Sequence, residues 1–182
     1  MNTIDKASLR RSLKQARAAL TPDEKNRADA CIGERLLAWW HASGHTALAV
    51  YWPLQGEPDL GAAYAVLADA GVQLALPVVL ERHAPLAFAA WEPGEAMLVD
   101  QMGVAVPAQQ RLVACPPALV IPCLGFNKDG YRLGYGGGYY DRTLAIAPRA
   151  KTVGVAYACQ QAAFAGAAHD IALDLILTEA AA

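Results

Sequence analysis

Two stripes of residues follow a helical period along the first twenty positions. The apolar stripe comprises Leu9, Leu13, Ala16 and Leu20. Basic residues keep the same period beside it: Lys6, Arg10, Lys14 and Arg17. Side chains one turn apart share a face, so the pattern predicts an amphipathic helix with four cations on one side. Two interpretations stay open: a solvated amphipathic helix, or a cationic arm that contacts phosphate groups.

A second helix is predicted directly afterwards. Thr21 can cap it, Pro22 suits the first helical position, and Glu24 completes a capping box. We expect this helix to run to about residue 40 and to end near residues 41–44.

Short β-like runs then alternate with helical segments. The predicted strands are 46–52, 72–79, 86–91, 119–123, 152–157 and 175–178, and the predicted helices are 59–70 and 139–146. The residues 92–95 read Glu-Pro-Gly-Glu and predict a turn. Strands interleaved with helices favour a single α/β domain over residues 1–182 with a mainly parallel sheet.

Composition and charge narrow the class of protein. Among 182 residues, 55% are hydrophobic and 18% are charged, a globular balance that argues against disorder. The net charge of −2 carries no signal for polyanion binding, so we expect no nucleic-acid partner.

The chain also lacks the patterns of export or membrane insertion. Residues 1–13 carry charges and no apolar core, so no secretory signal is expected. The uncharged run 112–126 contains three prolines, so we expect no membrane helix there. The four cysteines show no C-x-x-C pair, which is typical of reduced thiols in a cytoplasmic protein.

The segment 126–142 is the most informative part of the sequence. It places Gly134, Gly136, Gly137 and Gly138 just before a predicted helix. Glycines let the backbone approach a ligand closely, and their N–H groups together with the helix start favour an anion such as phosphate.

Other side chains of the same segment agree with a ligand-binding role. The Arg132 guanidinium can donate two hydrogen bonds to one phosphate group. Asp141 follows the glycines, where its carboxylate could hold a metal ion. Flat surfaces for stacking come from Tyr131, Tyr135, Tyr139 and Tyr140. The loop is neither a Walker A loop nor the dinucleotide fingerprint, because no Gly-Lys-Ser/Thr follows and the third fingerprint glycine is replaced by Tyr139.

Two further groups of residues are candidates. Trp52 ends a predicted strand, and Glu57 and Asp59 follow it. Either Glu57 and Asp59 cap the next helix, or Glu57 bonds the amino-pyrimidine edge of a heterocycle beside the Trp52 ring. Near the end of the chain, Asp170 is either a surface residue or a metal ligand, and the adjacent His169 is expected at the surface.

The segment from Gly130 to Arg142 closely resembles the signature of the 5-formyltetrahydrofolate cyclo-ligases, also called 5,10-methenyltetrahydrofolate synthetases. The resemblance extends in the same order to segments 6–10, 52–57, 119–122, 153–155 and 169–170. It implies a three-layer α/β sandwich related to the phosphosugar isomerase and CoA-transferase group. Asn127 departs from the pattern, since many relatives have aspartate there, and the segment 84–107 matches only loosely.

The resemblance also implies roles for particular residues. It places Lys6 and Arg10 on ATP phosphates or the substrate, and Trp52 and Glu57 against a folate. The part of the loop that would wrap ATP and the reacting end of the folate comprises Arg132, Leu133, Gly134, Tyr135, Gly136, Gly137, Gly138, Tyr139 and Tyr140.

Within that set, Arg132 and Tyr139 are the candidates for catalysis, and Tyr135 and Tyr139 also for contact with the folate. Asp141 and Asp170 are the candidate Mg²⁺ ligands. The implied substrates are 5-formyltetrahydrofolate and ATP, with no nucleic-acid or membrane partner. We expect a monomer, with a dimer as the alternative.

The implied reaction closes a ring on 5-formyltetrahydrofolate at the expense of ATP and yields 5,10-methenyltetrahydrofolate, ADP and phosphate. Such transfer depends on positioning and charge neutralisation and needs no nucleophilic residue. One alternative is a sugar-phosphate isomerase, which would need a general base that the central loop lacks. The other is a silent folate- or nucleotide-binding protein, which could dispense with the carboxylates.

Overall fold

The computed structural model describes residues 5–54, 56–146, 148–167 and 169–180. The helices are α1 (Lys6–Ala18), α2 (Pro22–Ser43), α3 (Gly61–Asp69) and α4 (Tyr139–Leu144), with a 3₁₀ turn at Ala158–Gln160. The strands are β1 (Ala47–Ala49), β2 (Gln73–Val78), β3 (Ala87–Trp91), β4 (Met97–Val99), β5 (Ala105–Pro107), β6 (Leu112–Val113), β7 (Ala118–Pro122), β8 (Gly125–Phe126), β9 (Arg132–Leu133), β10 (Lys151–Val155) and β11 (Leu175–Leu177).

The start of α2 follows the prediction from its sequence. The Thr21 side chain accepts from the Glu24 N–H, and the Glu24 carboxylate accepts from the Thr21 N–H at 2.8 Å. This reciprocal pair is the capping box that satisfies two donors at a helix start. The helix ends at Gly44, whose φ of 68° is the left-handed conformation that glycine adopts without strain.

A seven-stranded sheet organises the chain, in the order β11-β10-β7-β1-β2-β3-β6. The five strands from β11 to β2 are parallel, whereas β3 and β6 extend one edge antiparallel. The predicted mainly parallel α/β sheet is therefore confirmed, and the antiparallel edge is an addition to it. The relation to the phosphosugar isomerase and CoA-transferase group stays a prediction.

Helices cover both faces of the sheet. Alternate strand residues such as Leu48 and Val120 pack with α2 and α3 on one face, where Ile32 and Leu67 are fully buried. Leu119 and the strand residues that share its face pack with α4 on the other side of the sheet. Because side chains alternate across a strand, both faces of the parallel strands are apolar and buried, which gives the three layers.

Two hairpins were not predicted, because strands of two or three residues are too short to show an alternating pattern. One hairpin pairs β4 with β5, and the Asp100 carboxylate closes its turn by accepting from the N–H groups of Met102 (2.8 Å) and Val104 (2.9 Å). The other pairs β8 with β9 and lies inside the segment that the sequence indicated as one continuous loop.

Among the described residues, no helix combines the length and apolarity needed to cross a bilayer. The four cysteines are all described and all free. Burial raises the pKa of the Cys123 thiol to about 12, so this side chain is an inert core residue.

Candidate active site

A cavity of about 590 Å³ opens at the carboxyl edge of the parallel strands. Trp52 follows β1, Val79 follows β2 and Pro122 ends β7, so three neighbouring strands deliver their following segments to the same place. This edge is where open α/β sheets bind ligands. All the residues to which the resemblance assigns a role line this cavity: Lys6, Arg10, Trp52, Glu57, Arg132, Leu133, Gly134, Tyr135, Gly136, Gly137, Gly138, Tyr139, Tyr140, Asp141 and Asp170. Tyr131, Lys14 and Arg17, which the sequence also offered as ligand contacts, are not part of the lining.

The glycine-rich loop forms the polar wall of the cavity. Gly136 and Gly138 have φ of 102° and 66°, conformations that a side chain would strain. Gly138 is also the cap of α4, where no side chain of the described residues caps the first N–H groups. These donors remain available to an anion. Since α4 has only six residues, its dipole adds less than the sequence suggested.

The cationic face of α1 packs against this loop. The Arg10 Nε donates to the Gly134 carbonyl at 2.8 Å, and the Lys14 ammonium lies 5.4 Å from the centre of the Tyr135 ring. Arg17 is buried and donates from Nη1 to the Tyr135 hydroxyl at 3.0 Å. The solvated-helix interpretation is therefore wrong, because the basic face of the helix contacts the loop.

Arg132 and Asp141 form a partly buried ion pair in the cavity wall. The Arg132 Nη2 lies 2.9 Å from Asp141 Oδ2, and its guanidinium carbon lies 5.1 Å from the centre of the Tyr140 ring. The Arg132 Nε is buried and has no hydrogen-bond partner among the described residues. Burial, partly offset by the Arg132 charge, raises the pKa of Tyr140, so its hydroxyl is neutral at physiological pH.

Lys6 and Asp170 form a second ion pair, with 3.0 Å between Nζ and Oδ2. The same Asp170 oxygen accepts from the Ala167 N–H at 2.8 Å. Burial acts to raise the pKa of Asp170, but the Ala167 bond and the Lys6 charge outweigh it and hold that pKa below its usual value. Asp170 is thus not a plain surface residue, whereas the neighbouring His169 side chain is exposed.

Asp170 reaches the site because its segment is anchored to the β8–β9 hairpin. The Asn127 Nδ2 donates to the Phe164 carbonyl at 2.8 Å, and the Leu173 N–H donates to the Gly130 carbonyl at 2.9 Å. Asn127 is buried, and its Oδ1 also accepts from the N–H groups of Asp129 and Tyr131. The Asn127 amide can donate to the Phe164 carbonyl. An ionised aspartate at this position could not, because it has no proton to donate.

The donor set of the cavity fits a magnesium ion that arrives with a nucleotide. Mg²⁺ prefers carboxylate and phosphate oxygens and keeps several waters. Asp141 and Asp170 supply carboxylates beside the anion-binding loop. In the described part of the chain, no group of three or more His, Cys, Asp or Glu side chains could hold a metal. The two carboxylates would therefore need phosphate oxygens to complete the site.

Glu57 is nearly buried, with 2% of its surface exposed. Its Oε2 accepts from the Leu54 N–H at 2.8 Å, and its Oε1 accepts from the Tyr135 hydroxyl at 2.7 Å. Asp59 accepts from the N–H of Gly61 at the start of α3 and Glu57 does not, so the capping interpretation is wrong for Glu57. Among the described residues the Glu57 carboxylate accepts only from neutral groups, and such a buried carboxylate is suited to a ligand with N–H donors.

The apolar part of the lining includes a segment that the sequence did not indicate. The Trp52 ring meets Trp91 edge to face, with centroids 6.0 Å apart. The tip of the β4–β5 hairpin adds Asp100, Met102, Val104 and Ala105 to the lining. The Met102 side chain is half exposed at this tip. Apolar residues at a hairpin tip carry no signature in a single sequence.

The fold and the cavity together define an α/β protein with a glycine-rich loop suited to an anion, beside aromatic and apolar side chains. The protein-family model described as the 5-formyltetrahydrofolate cyclo-ligase family matches residues 2–179, and the chain belongs to this family. It is an enzyme of this ATP-dependent family, as the sequence predicts.

Relatives and solved structures agree with this assignment. The 5-formyltetrahydrofolate cyclo-ligase of Mycoplasma pneumoniae is 31% identical over 97% of this chain and 99% of its own length. That of Escherichia coli K12 is 30% identical over 81% and 85%. A structure of the 5,10-methenyltetrahydrofolate synthetase from Mycoplasma pneumoniae covers 97% of this chain and 100% of its own with a TM-score of 0.77 and 29% identity. The Aquifex aeolicus structure covers 96% and 89%, with a TM-score of 0.79 and 28% identity.

Proposed function

We propose that this protein closes a ring on 5-formyltetrahydrofolate in the cavity described above, with ATP as the phosphoryl donor. The observation that carries the proposal is that two kinds of lining share one cavity. A glycine loop with cations suited to an anion lines it together with a buried carboxylate and apolar, aromatic side chains. Phosphates suit the first kind of lining, and a flat heterocycle with an amino-pyrimidine edge suits the second.

The chemistry follows from the substrate. The formyl oxygen is a poor leaving group, so it first attacks the terminal phosphorus of ATP, and ADP leaves. In the resulting imino-phosphate, the formyl oxygen is bonded to the transferred phosphorus and can leave as part of phosphate. The neighbouring nitrogen then attacks the formyl carbon, loses its proton and expels phosphate, which yields 5,10-methenyltetrahydrofolate. Catalysis therefore consists of holding the two substrates in line and neutralising charge on the transferred group.

Cations along the polar wall would supply that neutralisation. Lys6 and Arg10 come from α1 and contact phosphates, while Arg132 stabilises the transferred phosphoryl group, for which its unpartnered Nε is one donor. Tyr139 lies between the loop and the folate and orients the reacting end. Its ring is held by Arg142, whose guanidinium carbon lies 5.0 Å from the ring centre.

The carboxylates Asp141 and Asp170 would hold Mg²⁺ together with nucleotide phosphates. When bound, the ion screens the negative charge of the phosphates. Each carboxylate is paired with a cation in the free protein, Arg132 and Lys6 respectively. Binding of ATP and metal would exchange these partners, with the cations turning to phosphate and the carboxylates to the metal. Metal affinity should therefore depend strongly on nucleotide.

The folate would lie along the apolar wall. Its amino-pyrimidine edge meets Glu57, and Trp52, Tyr135 and Tyr139 supply flat surfaces. We place the reaction in the cytoplasm and expect a monomer, with a dimer as the alternative. No partner beyond the two substrates is needed for the chemistry.

An omission assay tests the proposal. Purified protein with 5-formyltetrahydrofolate, ATP and magnesium should produce the absorbance of the methenyl product, and leaving out either nucleotide or metal should prevent it. Product that forms equally fast without nucleotide, or no product in the complete mixture, would refute the assignment.

A further inference from the structure

Tyr135 makes a contact that differs from the rest of the glycine loop. Its hydroxyl accepts from Arg17 Nη1 at 3.0 Å and lies 2.7 Å from Glu57 Oε1. The Tyr135 hydroxyl therefore accepts from Arg17 and donates to Glu57. Tyr135, which belongs to the glycine loop, is thus bonded to Glu57, the residue proposed to recognise the folate.

The burial of Glu57 makes this contact important for the ligand. Both carboxylate oxygens are engaged, and only 2% of the residue is exposed. The Leu54 N–H belongs to the same turn as Glu57 and stays with it, because the Glu57 N–H also bonds the Leu54 carbonyl at 2.9 Å. Two of the roughly four acceptor sites of the carboxylate are thus taken, and a second neighbour that moved aside would free one of them for a ligand edge.

Tyr135 is the neighbour suited to move. Its side chain is partly exposed, unlike Glu57. It lies between Gly134 and Gly136, and Gly136 has a φ of 102°, so the backbone there has the conformational freedom of glycine. Burial, followed by the Glu57 charge, raises the pKa of Tyr135 well above its usual value, so the hydroxyl remains a donor at neutral pH.

We propose that Tyr135 sets the folate affinity of the enzyme by occupying Glu57 in the free protein, so that the folate binds by taking its place. This inference rests on the proposed role of Glu57. A binding site that is closed for most of the time weakens the apparent affinity by the fraction that is open. Tyr135 therefore acts as an internal competitor of the amino-pyrimidine edge.

The same contact couples the two substrates. Tyr135 belongs to the loop whose N–H groups are proposed to hold ATP phosphates, so a nucleotide that draws the loop away from Glu57 opens the folate subsite. Such coupling is reciprocal for binding free energies. A nucleotide should thus raise folate affinity, and the folate should raise nucleotide affinity by the same factor.

The alternative to the competitor role is an orienting role, in which Tyr135 holds Glu57 in position and keeps its hydrogen bond when the folate binds. The two roles predict opposite changes in folate affinity when the Tyr135 hydroxyl is removed. Removing an internal competitor strengthens folate binding, whereas removing an orienting hydrogen bond weakens it. The hydroxyl is the only group that needs to change, so Tyr135→Phe distinguishes the roles while retaining the ring that packs under Lys14.

Isothermal titration calorimetry with 5-formyltetrahydrofolate, without nucleotide, provides the measurement. We expect Tyr135→Phe to lower the Kd about tenfold, the change for a closed state that is about 90% populated. A non-hydrolysable ATP analogue should then lower the folate Kd of the wild type more than that of the variant. Tyr131→Phe is the matched control, because it removes a hydroxyl from the same segment and does not line the cavity.

Weaker or unchanged folate binding by Tyr135→Phe would overturn the inference, and so would an equal gain in Tyr131→Phe. Glu57→Gln separates this failure from that of the proposed function. If Glu57→Gln binds folate as tightly as the wild type, the role of Glu57 is wrong. If Glu57→Gln weakens binding while Tyr135→Phe does not strengthen it, only the competitor role fails.

Discussion

Replacing Arg10 with alanine tests whether α1 acts in the site or only covers it. The Arg10 Nε donates to the Gly134 carbonyl at 2.8 Å, and its guanidinium carbon lies 3.6 Å from the place where a side chain on Gly136 would begin. Hydrogen bonds of a charged group are worth about 1.5–3 kcal/mol. Losing one such contact to the loop or to phosphate should lower kcat/KM for ATP by about 10- to 100-fold.

The adjacent Arg11 provides the control. It lies on the same helix and is exposed, and it does not line the cavity. Arg11→Ala removes an equal charge and improves helix propensity by the same small amount as Arg10→Ala. Steady-state kinetics with ATP varied at saturating folate should show the loss in Arg10→Ala alone, with unchanged thermal unfolding. Equal kinetics in both variants, or an equal loss in both, would refute the role of Arg10.

Three further changes have expected outcomes. Glu57→Gln should raise the KM for folate and leave that for ATP unchanged; a rise in the KM for ATP alone would contradict its role. Asp141→Asn should remove most turnover, in part recoverable at high magnesium, and Asp170→Asn should have the smaller effect because waters replace it. Equal turnover in both and in the wild type would exclude the metal site. Thr21→Ala should lower the free energy of unfolding by about 1 kcal/mol, measured by urea denaturation, with kinetics unchanged; a kinetic defect would contradict a purely capping role.

Parts of the fold could be predicted because the signals are local. The α2 capping box depends on Thr21 and Glu24, only three positions apart, and the buried parallel strands show as apolar runs. The short β8 and β9 strands could not be predicted, since two residues show no period and their pairing depends on packing between distant segments. The β4–β5 hairpin was missed for the same reason.

The site shows the same division between local and distant contacts. The glycine loop was visible because its residues are contiguous. The pairing of Lys6 with Asp170, and of Tyr135 with Glu57, joins positions far apart in the chain. A single sequence names these residues as candidates but does not show that they bond one another. For this reason the sequence left open whether the basic residues of α1 face solvent or the site.

The fate of the formyl oxygen tests the central claim most directly. If the terminal phosphoryl group of ATP is transferred to that oxygen, the oxygen must leave as part of phosphate. Wild-type protein should be given 5-formyltetrahydrofolate labelled with ¹⁸O in the formyl group, together with unlabelled ATP and magnesium, and the released phosphate analysed by mass spectrometry. The account predicts one ¹⁸O atom in each phosphate formed with the methenyl product. Methenyl product accompanied by unlabelled phosphate would contradict it.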